Sequence, residues 1–247
     1  MSSNALYTDL SKYYDLMCVD IDYLTQSSSI RRLHQLFGND GSTHLDLACG
    51  TGPHVSHFID FGYHSNGLDI NQPMLDIAKK RCPEAHFSLQ NMSEFSVAEP
   101  LDIITCLLYS IHYNESIEKL KSCIVSVHKA LKIGGVFCFN VVDKEKIDNR
   151  LFVRHTAKQD DNLFTFISGW HYSGNGDKQS LKLSIEKATA EETQVWNDEH
   201  AMVAFSFDEL LEILKPYFDV HVFEHDYEKL TPYDKISGNA IFSCVKI

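Results

Sequence analysis

The sequence predicts an α/β fold, in which a mostly parallel sheet has helices on both faces and carries an antiparallel β insertion. Three observations predict it. Apolar strand-like segments alternate with helical periodicity up to residue 142, one apolar strand runs directly into a turn containing Gly50 and Gly52, and aromatic residues alternate beyond Asp143. The 247 residues, 44% of them apolar, suffice for one large domain or for a domain with a sizeable insertion.

Strands and helices alternate through the first part of the chain. Residues 101–107 are apolar nearly throughout, as a parallel strand covered on both faces requires. Pro53 opens the first helix, where proline is tolerated, and Gly134 with Gly135 is typical of a glycine cap after the third helix. The strands are predicted at 43–48, 63–69, 85–89, 101–107 and 136–142, and the helices at 53–61, 72–82 and 115–131.

The second part of the chain predicts a small antiparallel sheet over roughly 160–205, with strands at 163–173, 180–188 and 193–205. Ser206 with Glu209 then forms a capping box at the start of a helix. We therefore expect residues 1–142 and 206–247 to form one domain and residues 143–205 to form an inserted subdomain that covers the substrate.

The glycine turn indicates a ligand site. Glycine lets a ligand approach the backbone, and ligands bind at the carboxyl ends of strands in open parallel sheets. Val55 stands where a dinucleotide fingerprint needs a third glycine, and Pro53-His54 stands where a P-loop needs Gly-Lys. Asp69 ends the second strand, 17 residues after Gly52, where a carboxylate accepts hydrogen bonds from ribose hydroxyls. A ribose acid without phosphate-binding residues favours a nucleoside that lacks phosphates, such as S-adenosylmethionine.

Five motifs in order resemble the class I S-adenosylmethionine-dependent methyltransferases. The segment 13–16, Tyr-Tyr-Asp-Leu, further resembles the small-molecule branch, which includes amino-sugar N,N-dimethyltransferases and glycine methyltransferase-like proteins. The resemblance covers roughly residues 10–142 and implies a Rossmann-like, seven-stranded sheet closed by strands at 220–225 and 240–246. The motifs lie at 45–52, 67–75, 90–92, 101–106 and 131–137.

The resemblance also implies a set of residues that bind S-adenosylmethionine. The glycine turn would hold the methionine portion, Asp69 the ribose, and Ile70 with Met74 the adenine. Asn91 stands where the family often has Asp, and its amide oxygen can still accept from the adenine amino group. The cofactor-binding residues are expected to be Tyr14, Ala48, Cys49, Gly50, Gly52, Asp69, Ile70, Met74, Asn91, Met92 and Leu107.

Alternative interpretations stay open at several of these positions. Tyr14 either closes over the methionine end or packs a helix on the sheet, and Cys49 is either a reactive thiol or a small turn residue. His112 is the candidate catalytic base, because imidazole titrates near neutral pH, or else a histidine that hydrogen-bonds a loop. Tyr109 and Tyr113 either orient a substrate or belong to the core.

The inserted sheet is expected to be a lid over the substrate. Its aromatic residues Trp170, Tyr172 and Trp196 would line a pocket, form a dimer face or simply pack. His171 and His200 do not have metal-ligand spacing, so we expect them to be solvent-exposed and expect no metal site.

Charge and composition limit the partners. A net charge of −12 disfavours an extended nucleic-acid surface, and the apolar runs are too short to span a membrane. Residues 1–4 do not predict a secretory signal, and seven cysteines without a Cys-x-x-Cys pair fit a reducing cytoplasm. We therefore predict a cytoplasmic enzyme that methylates nitrogen or oxygen of a small molecule, with a homodimer left open. The alternatives are a tRNA-base methyltransferase and a non-catalytic module that binds S-adenosylmethionine.

Overall fold

The computed structural model describes residues 5–7 and 10–247, so the expectation about residues 1–4 lies outside the described residues. The strands are β1 Thr43–Leu47, β2 His64–Asp69, β3 Phe87–Leu89, β4 Leu101–Cys106, β5 Leu131–Val142, β6 Val153–Gln159, β7 Asn162–Tyr172, β8 Lys178–Ala188, β9 Thr193–Val203, β10 Phe218–Glu224 and β11 Asn239–Lys246. The helices are α1 Tyr14–Met17, α2 Tyr23–Phe37, α3 Pro53–Asp60, α4 Gln72–Arg81, α5 Ile117–Ala130 and α6 Phe207–Leu214.

The main sheet has seven strands in the order β10-β11-β5-β4-β1-β2-β3. Strands β3, β2, β1, β4 and β5 are parallel, and β11 pairs antiparallel with both β5 and β10. The chain turns from β1 towards β3 on one side and returns to β4 on the other, so the strand order reverses between β1 and β4. This reversal is where open α/β sheets bind their ligands. The predicted fold class and its closing strand pair are confirmed.

Helices cover both faces of this sheet because its central strands are apolar on both sides. On one face, Phe137 and Phe139 of β5 pack against α5 and α6. On the other face, Ile103 of β4 packs against Ile30 of α2 and Phe58 of α3. The sheet is therefore doubly covered, as the apolar strand pattern predicted.

The predicted glycine cap after the third helix is wrong. Helix α5 ends at Ala130, because Leu131 already has extended backbone angles and begins β5. Gly134 lies inside that strand at a φ of +72°, and its carbonyl accepts a hydrogen bond from the Asn39 N–H at 2.9 Å. A Cβ on Gly135 would approach the Lys132 carbonyl oxygen to 2.9 Å. The two glycines therefore allow an irregular strand start, and the strand is five residues longer than expected.

A second sheet has four antiparallel strands in the order β6-β7-β8-β9. Strand β6 was not predicted. Phe164 and Phe166 of β7 and Leu183 of β8 form a buried cluster with Leu6 and Leu10 of the N-terminal segment. The second sheet therefore packs over the N-terminal segment, which in turn lies at the carboxyl edge of the main sheet.

No helix among the described residues is long and apolar enough to cross a membrane.

Candidate cofactor and acceptor site

A cavity of about 250 Å³ lies where the carboxyl ends of β1, β2 and β4 meet the N-terminal segment and β9. Its volume is close to the lower end of the range for small-molecule sites, which begins at about 300 Å³. The lining residues are Tyr7, Tyr14, Ala48, Gly50, Leu68, Asp69, Ile70, Asn71, Met74, Gln90, Asn91, Met92, Ser93, Leu108, Ser110, Tyr113, Glu115 and Ala201.

The glycine turn after β1 forms part of the cavity wall. Ala48, Gly50 and Gly52 have φ values of +52°, +54° and +80°, so the turn winds through left-handed conformations that favour glycine. Gly50 lines the cavity, and a Cβ there would lie 3.8 Å from Met74 and from Tyr14. Gly52 instead directly precedes α3, and a Cβ on it would lie 3.2 Å from Ala78 of α4. The turn therefore exposes the backbone of Gly50, and Gly52 contributes through helix placement.

Asp69 connects the ends of β1 and β2 at the cavity. Its Oδ2 accepts the Gly50 N–H at 2.9 Å, and its Oδ1 accepts the Asn71 N–H at 2.8 Å. Burial raises the pKa of the carboxyl group, whereas these backbone hydrogen bonds lower it. Oδ1 also accepts from the Asn71 side-chain amide at 3.2 Å, whereas Oδ2 has a single donor in the protein. Oδ2 can therefore accept from one ribose hydroxyl directly, and a second hydroxyl would replace the longer Asn71 amide contact on Oδ1.

The expected adenine residues lie along one side of the cavity. Met74 and Met92 are buried, and Ile70 is 63% exposed at the rim. The Asn91 side-chain oxygen accepts from the N–H and the hydroxyl of Ser93, at 2.9 and 2.8 Å. An adenine amino group would therefore compete with Ser93 for this oxygen.

Cys49 and Leu107 lie behind the cavity wall rather than in it. Cys49 is 5% exposed in an apolar cluster with Val55, and burial raises the pKa of its thiol. A low thiol pKa is what makes a cysteine reactive, so the geometry favours the small turn residue. Leu107 packs with Phe58 on the far face of the sheet, and its neighbour Leu108 lines the cavity instead.

A second, small cavity of about 20 Å³ adjoins the turn and has room for one water. Asp46 and His54 line it together with Tyr23. Asp46 accepts a 2.6 Å hydrogen bond from Thr105, and burial raises its pKa to about 7, whereas burial lowers the pKa of His54 to about 3. Sequence reasoning missed this polar group, although a carboxylate inside a doubly covered strand was a signal for it.

His112 is fully buried and does not line the large cavity. Its Nε2 accepts the Val142 N–H at 3.1 Å, so Nδ1 carries the proton and donates to the Val203 carbonyl at 2.9 Å. The ring stacks on Phe205 at 4.4 Å, and burial lowers its pKa to about 4. The neutral imidazole thus hydrogen-bonds the backbones of two strands, β5 and β9.

The opposite wall of the cavity carries a hydrogen-bonded chain that crosses three segments. The Tyr7 and Tyr113 hydroxyls are 2.6 Å apart, and the Tyr113 hydroxyl is 2.6 Å from Nδ1 of His200. Nε2 of His200 is 3.2 Å from Oδ2 of Asp198. His200 is 1% exposed, so the expectation of solvent exposure is wrong, because its ring packs against the rings of Tyr7 and Tyr113.

The aromatic residues of the inserted sheet mainly pack. Trp170 contacts the rings of Tyr109 and His112, at 5.4 and 5.8 Å between ring centres. Trp196 joins the cluster with the N-terminal segment, and the Tyr172 hydroxyl donates to Gly176 in the β7–β8 hairpin. None of these three aromatic residues lines the large cavity; the residue of this sheet that does so is Ala201 of β9. Among the described residues, His, Cys, Asp and Glu do not gather into a group that would hold a metal.

Comparison with known proteins identifies the domain. Residues 45–135 match the family model for a methyltransferase domain. Over 131 residues the chain is 32% identical to dTDP-3-amino-3,4,6-trideoxy-α-D-glucopyranose N,N-dimethyltransferase of Streptomyces venezuelae, covering 52% of this chain and 55% of that protein. Over 105 residues it is 30% identical to dTDP-3-amino-3,6-dideoxy-α-D-glucopyranose N,N-dimethyltransferase of Streptomyces fradiae, covering 42% and 41%. The chain thus spans about half the length of the curated relatives it matches.

Solved structures share the fold over nearly the whole chain. The crystal structure of Streptomyces venezuelae DesVI matches with a TM-score of 0.84 and 23% identity, covering 97% of this chain and 99% of that one. CalS10, an amino pentose methyltransferase from Micromonospora echinaspora, matches with a TM-score of 0.81 and 15% identity, covering 96% and 97%. The matched domain, the ordered motifs and the sheet order agree. The chain therefore contains a match to a methyltransferase domain over residues 45–135, and it shares its overall fold with these solved structures.

Proposed function

We propose that this protein transfers the methyl group of S-adenosylmethionine to the nitrogen of a small-molecule amine. The observation that carries the proposal is a single cavity with a ribose-type carboxylate, Asp69, on one side and tyrosine hydroxyls on the other. The relatives named as N,N-dimethyltransferases of amino sugars favour nitrogen over oxygen. Glu115 at the cavity rim adds a second carboxylate, which favours a cationic acceptor.

The residues around the glycine turn fit S-adenosylmethionine, which when bound supplies a methyl group already activated for transfer. Asp69 would accept from the ribose hydroxyls, and the exposed backbone of Gly50 would lie against the methionine portion. Met74 and Met92 would contact the adenine, with Ile70 at the rim. Tyr14 lines the cavity beside Gly50, which supports its closing over the methionine end.

Positioning is the main catalytic contribution that these residues make. Holding the acceptor nitrogen in line with the methyl group supplies on the order of 7–11 kcal/mol of barrier reduction. The inserted segment 143–205 would cover the acceptor and exclude water, since β9 contributes Ala201 to the wall. His112 would serve by fixing β9 to β5, rather than as the base that the sequence suggested.

We further propose a small-molecule acceptor and a cytoplasmic location. Net charge and the acidic cavity favour a small-molecule acceptor over nucleic acid. All seven cysteines are free and buried, which fits a reducing cytoplasm. A homodimer stays a prediction, which sedimentation velocity would test.

The test is an assay of S-adenosylhomocysteine release. The protein is incubated with S-adenosylmethionine and a set of primary amines that includes dTDP-3-amino-3,4,6-trideoxy-α-D-glucopyranose, and products are identified by mass spectrometry. The proposal predicts N-methylated and N,N-dimethylated products from at least one amine. Binding of S-adenosylmethionine without turnover of any amine would contradict it and favour a non-catalytic module, and methylation of tRNA alone would favour the tRNA-base alternative.

A further inference from the structure

The hydrogen-bonded chain on the acceptor side of the cavity has a defined direction. A carboxylate accepts hydrogen bonds and does not donate, so Nε2 of His200 donates to Asp198. Nδ1 of His200 then presents its lone pair, and the Tyr113 hydroxyl donates to it at 2.6 Å. The Tyr113 oxygen in turn accepts from the Tyr7 hydroxyl, also at 2.6 Å. Every donor points away from the cavity, which leaves the Tyr7 oxygen as an acceptor at the cavity wall.

This series of hydrogen bonds connects the cavity with the outside of the inserted sheet. Tyr7 and Tyr113 line the cavity, and the side chain of His200 is fully buried behind them. The side chain of Asp198 keeps 13% of its surface exposed and also lines a separate groove of about 560 Å³ on the inserted sheet. A proton that enters at Tyr7 therefore has a continuous path to a group in contact with solvent.

An amine acceptor needs such a path. At neutral pH a primary amine is an ammonium ion, whose nitrogen has no lone pair, as the lysine pKa of about 10.4 illustrates. Each methylation again yields a charged ammonium product, so a second methylation requires another proton to leave. The Tyr7 oxygen is an acceptor at the cavity wall that could take this proton.

We propose, on the basis of the proposed function, that Tyr7, Tyr113, His200 and Asp198 form a proton relay that deprotonates the acceptor ammonium. The ammonium N–H proton passes to the Tyr7 oxygen, the Tyr7 hydroxyl proton passes to Tyr113, and the Tyr113 hydroxyl proton passes to Nδ1 of His200. The imidazolium is stabilised by Asp198, through which the proton leaves to water. The freed lone pair forms the N–CH3 bond while the S–CH3 bond breaks and leaves its electron pair on sulfur.

Burial shifts the pKa values of the relay residues in directions that suit this proton transfer. It raises the pKa of Tyr7 and of Tyr113, so both are neutral hydroxyls that pass a proton on rather than lose it. Burial lowers the pKa of His200, whereas Asp198 raises it, which keeps the ring neutral at rest and able to accept a proton. The other titratable groups that face Tyr7 are Tyr14, Cys18 and Asp69.

The kinetic test uses Tyr7→Phe, Tyr113→Phe, His200→Gln and Asp198→Asn, with the amine that the wild type methylates best. Each variant should bind S-adenosylmethionine with wild-type affinity and lose about 100-fold in kcat/KM at pH 7, within the range of general base catalysis. The loss should shrink as the pH approaches the pKa of the free amine, because the amine then binds already deprotonated. Tyr172→Phe, which removes a hairpin hydroxyl in the same sheet, is the matched control and should behave as wild type.

A loss that is equal at pH 7 and at pH 10, or the absence of any loss, would overturn the relay. A second measurement does not depend on turnover. Nitrogen-15 NMR of the protein with S-adenosylhomocysteine should show His200 as the Nε2–H tautomer, with the Nδ1 resonance shifted in Tyr113→Phe. An Nδ1–H tautomer would overturn the relay even in an active enzyme, whereas failure to methylate any amine would overturn the proposed function itself.

Discussion

Replacing Asp69 with alanine tests the contact on which the cofactor site depends. The carboxylate is 6% exposed; Oδ2 accepts from the Gly50 N–H, and Oδ1 accepts from the N–H and, at 3.2 Å, the side-chain amide of Asn71. Asp69 lines the cavity, where one ribose hydroxyl would donate to Oδ2 and the second would replace the long amide contact on Oδ1. A hydrogen bond to a charged group contributes roughly 1.5–3 kcal/mol, so losing the pair should cost about 3 kcal/mol, or roughly 100-fold in Kd.

Isothermal titration calorimetry with S-adenosylmethionine at 25 °C measures this loss. Asp76→Ala is the control, because Asp76 lies seven residues further along on the exposed side of α4 and accepts from Gln72 of the same helix. Thermal unfolding of each variant shows whether the protein is folded at the assay temperature. A Kd for Asp69→Ala within twofold of wild type, in a folded protein, would refute the assignment of the ribose to Asp69.

Three further changes test separate parts of the structure. The difference in unfolding free energy between wild type and His112→Gln should narrow by about 3 kcal/mol from pH 6.5 to pH 4. Burial lowers the pKa of His112 to about 4 in the folded protein, whereas in the unfolded chain it is about 6.5, so the unfolded wild type binds a proton over this range and the folded wild type does not. The wild type therefore loses this stability as the pH falls, and the variant, which lacks the histidine, does not. A pH-independent deficit in urea unfolding would contradict this. Gly52→Ala places a Cβ at a φ of +80° and 3.2 Å from Ala78, which should cost about 1–2 kcal/mol and lower Tm by about 2–4 °C per kcal/mol; an unchanged Tm would contradict this strain. Ser206→Ala removes the capping box with Glu209 and should cost about 1 kcal/mol in the same unfolding assay, and an unaltered free energy would show that the cap does not matter.

The parallel sheet was predictable because its strands are apolar on both faces and are followed by glycine or polar turns. The prediction failed where these signals are weak. Strand β6 is mostly exposed at the edge of the second sheet and has the sequence Val-Arg-His-Thr-Ala-Lys-Gln, in which no apolar alternation appears. Its position follows from pairing with β7, which is a tertiary interaction.

The cofactor side of the site was more predictable than the acceptor side. Gly50 and Asp69 belong to motifs with fixed spacing, and both line the cavity. The relay instead joins Tyr113 to His200, 87 residues later in the chain, and no local pattern records that distance. His200 lies two residues after Asp198 in a polar stretch of β9, which is typical of a solvated strand. Its burial instead follows from the contact of its ring with Tyr7 of the N-terminal segment.

The central claim is that the cavity at the ends of β1 and β2 binds the adenosine of S-adenosylmethionine. A crystal structure of the protein with S-adenosylhomocysteine tests this most directly. We expect both ribose hydroxyls within hydrogen-bond distance of the Asp69 carboxylate, and the sulfur facing the Tyr7 and Tyr113 hydroxyls. A structure with this cavity empty and the ligand elsewhere, or with the ribose turned away from Asp69, would contradict the account.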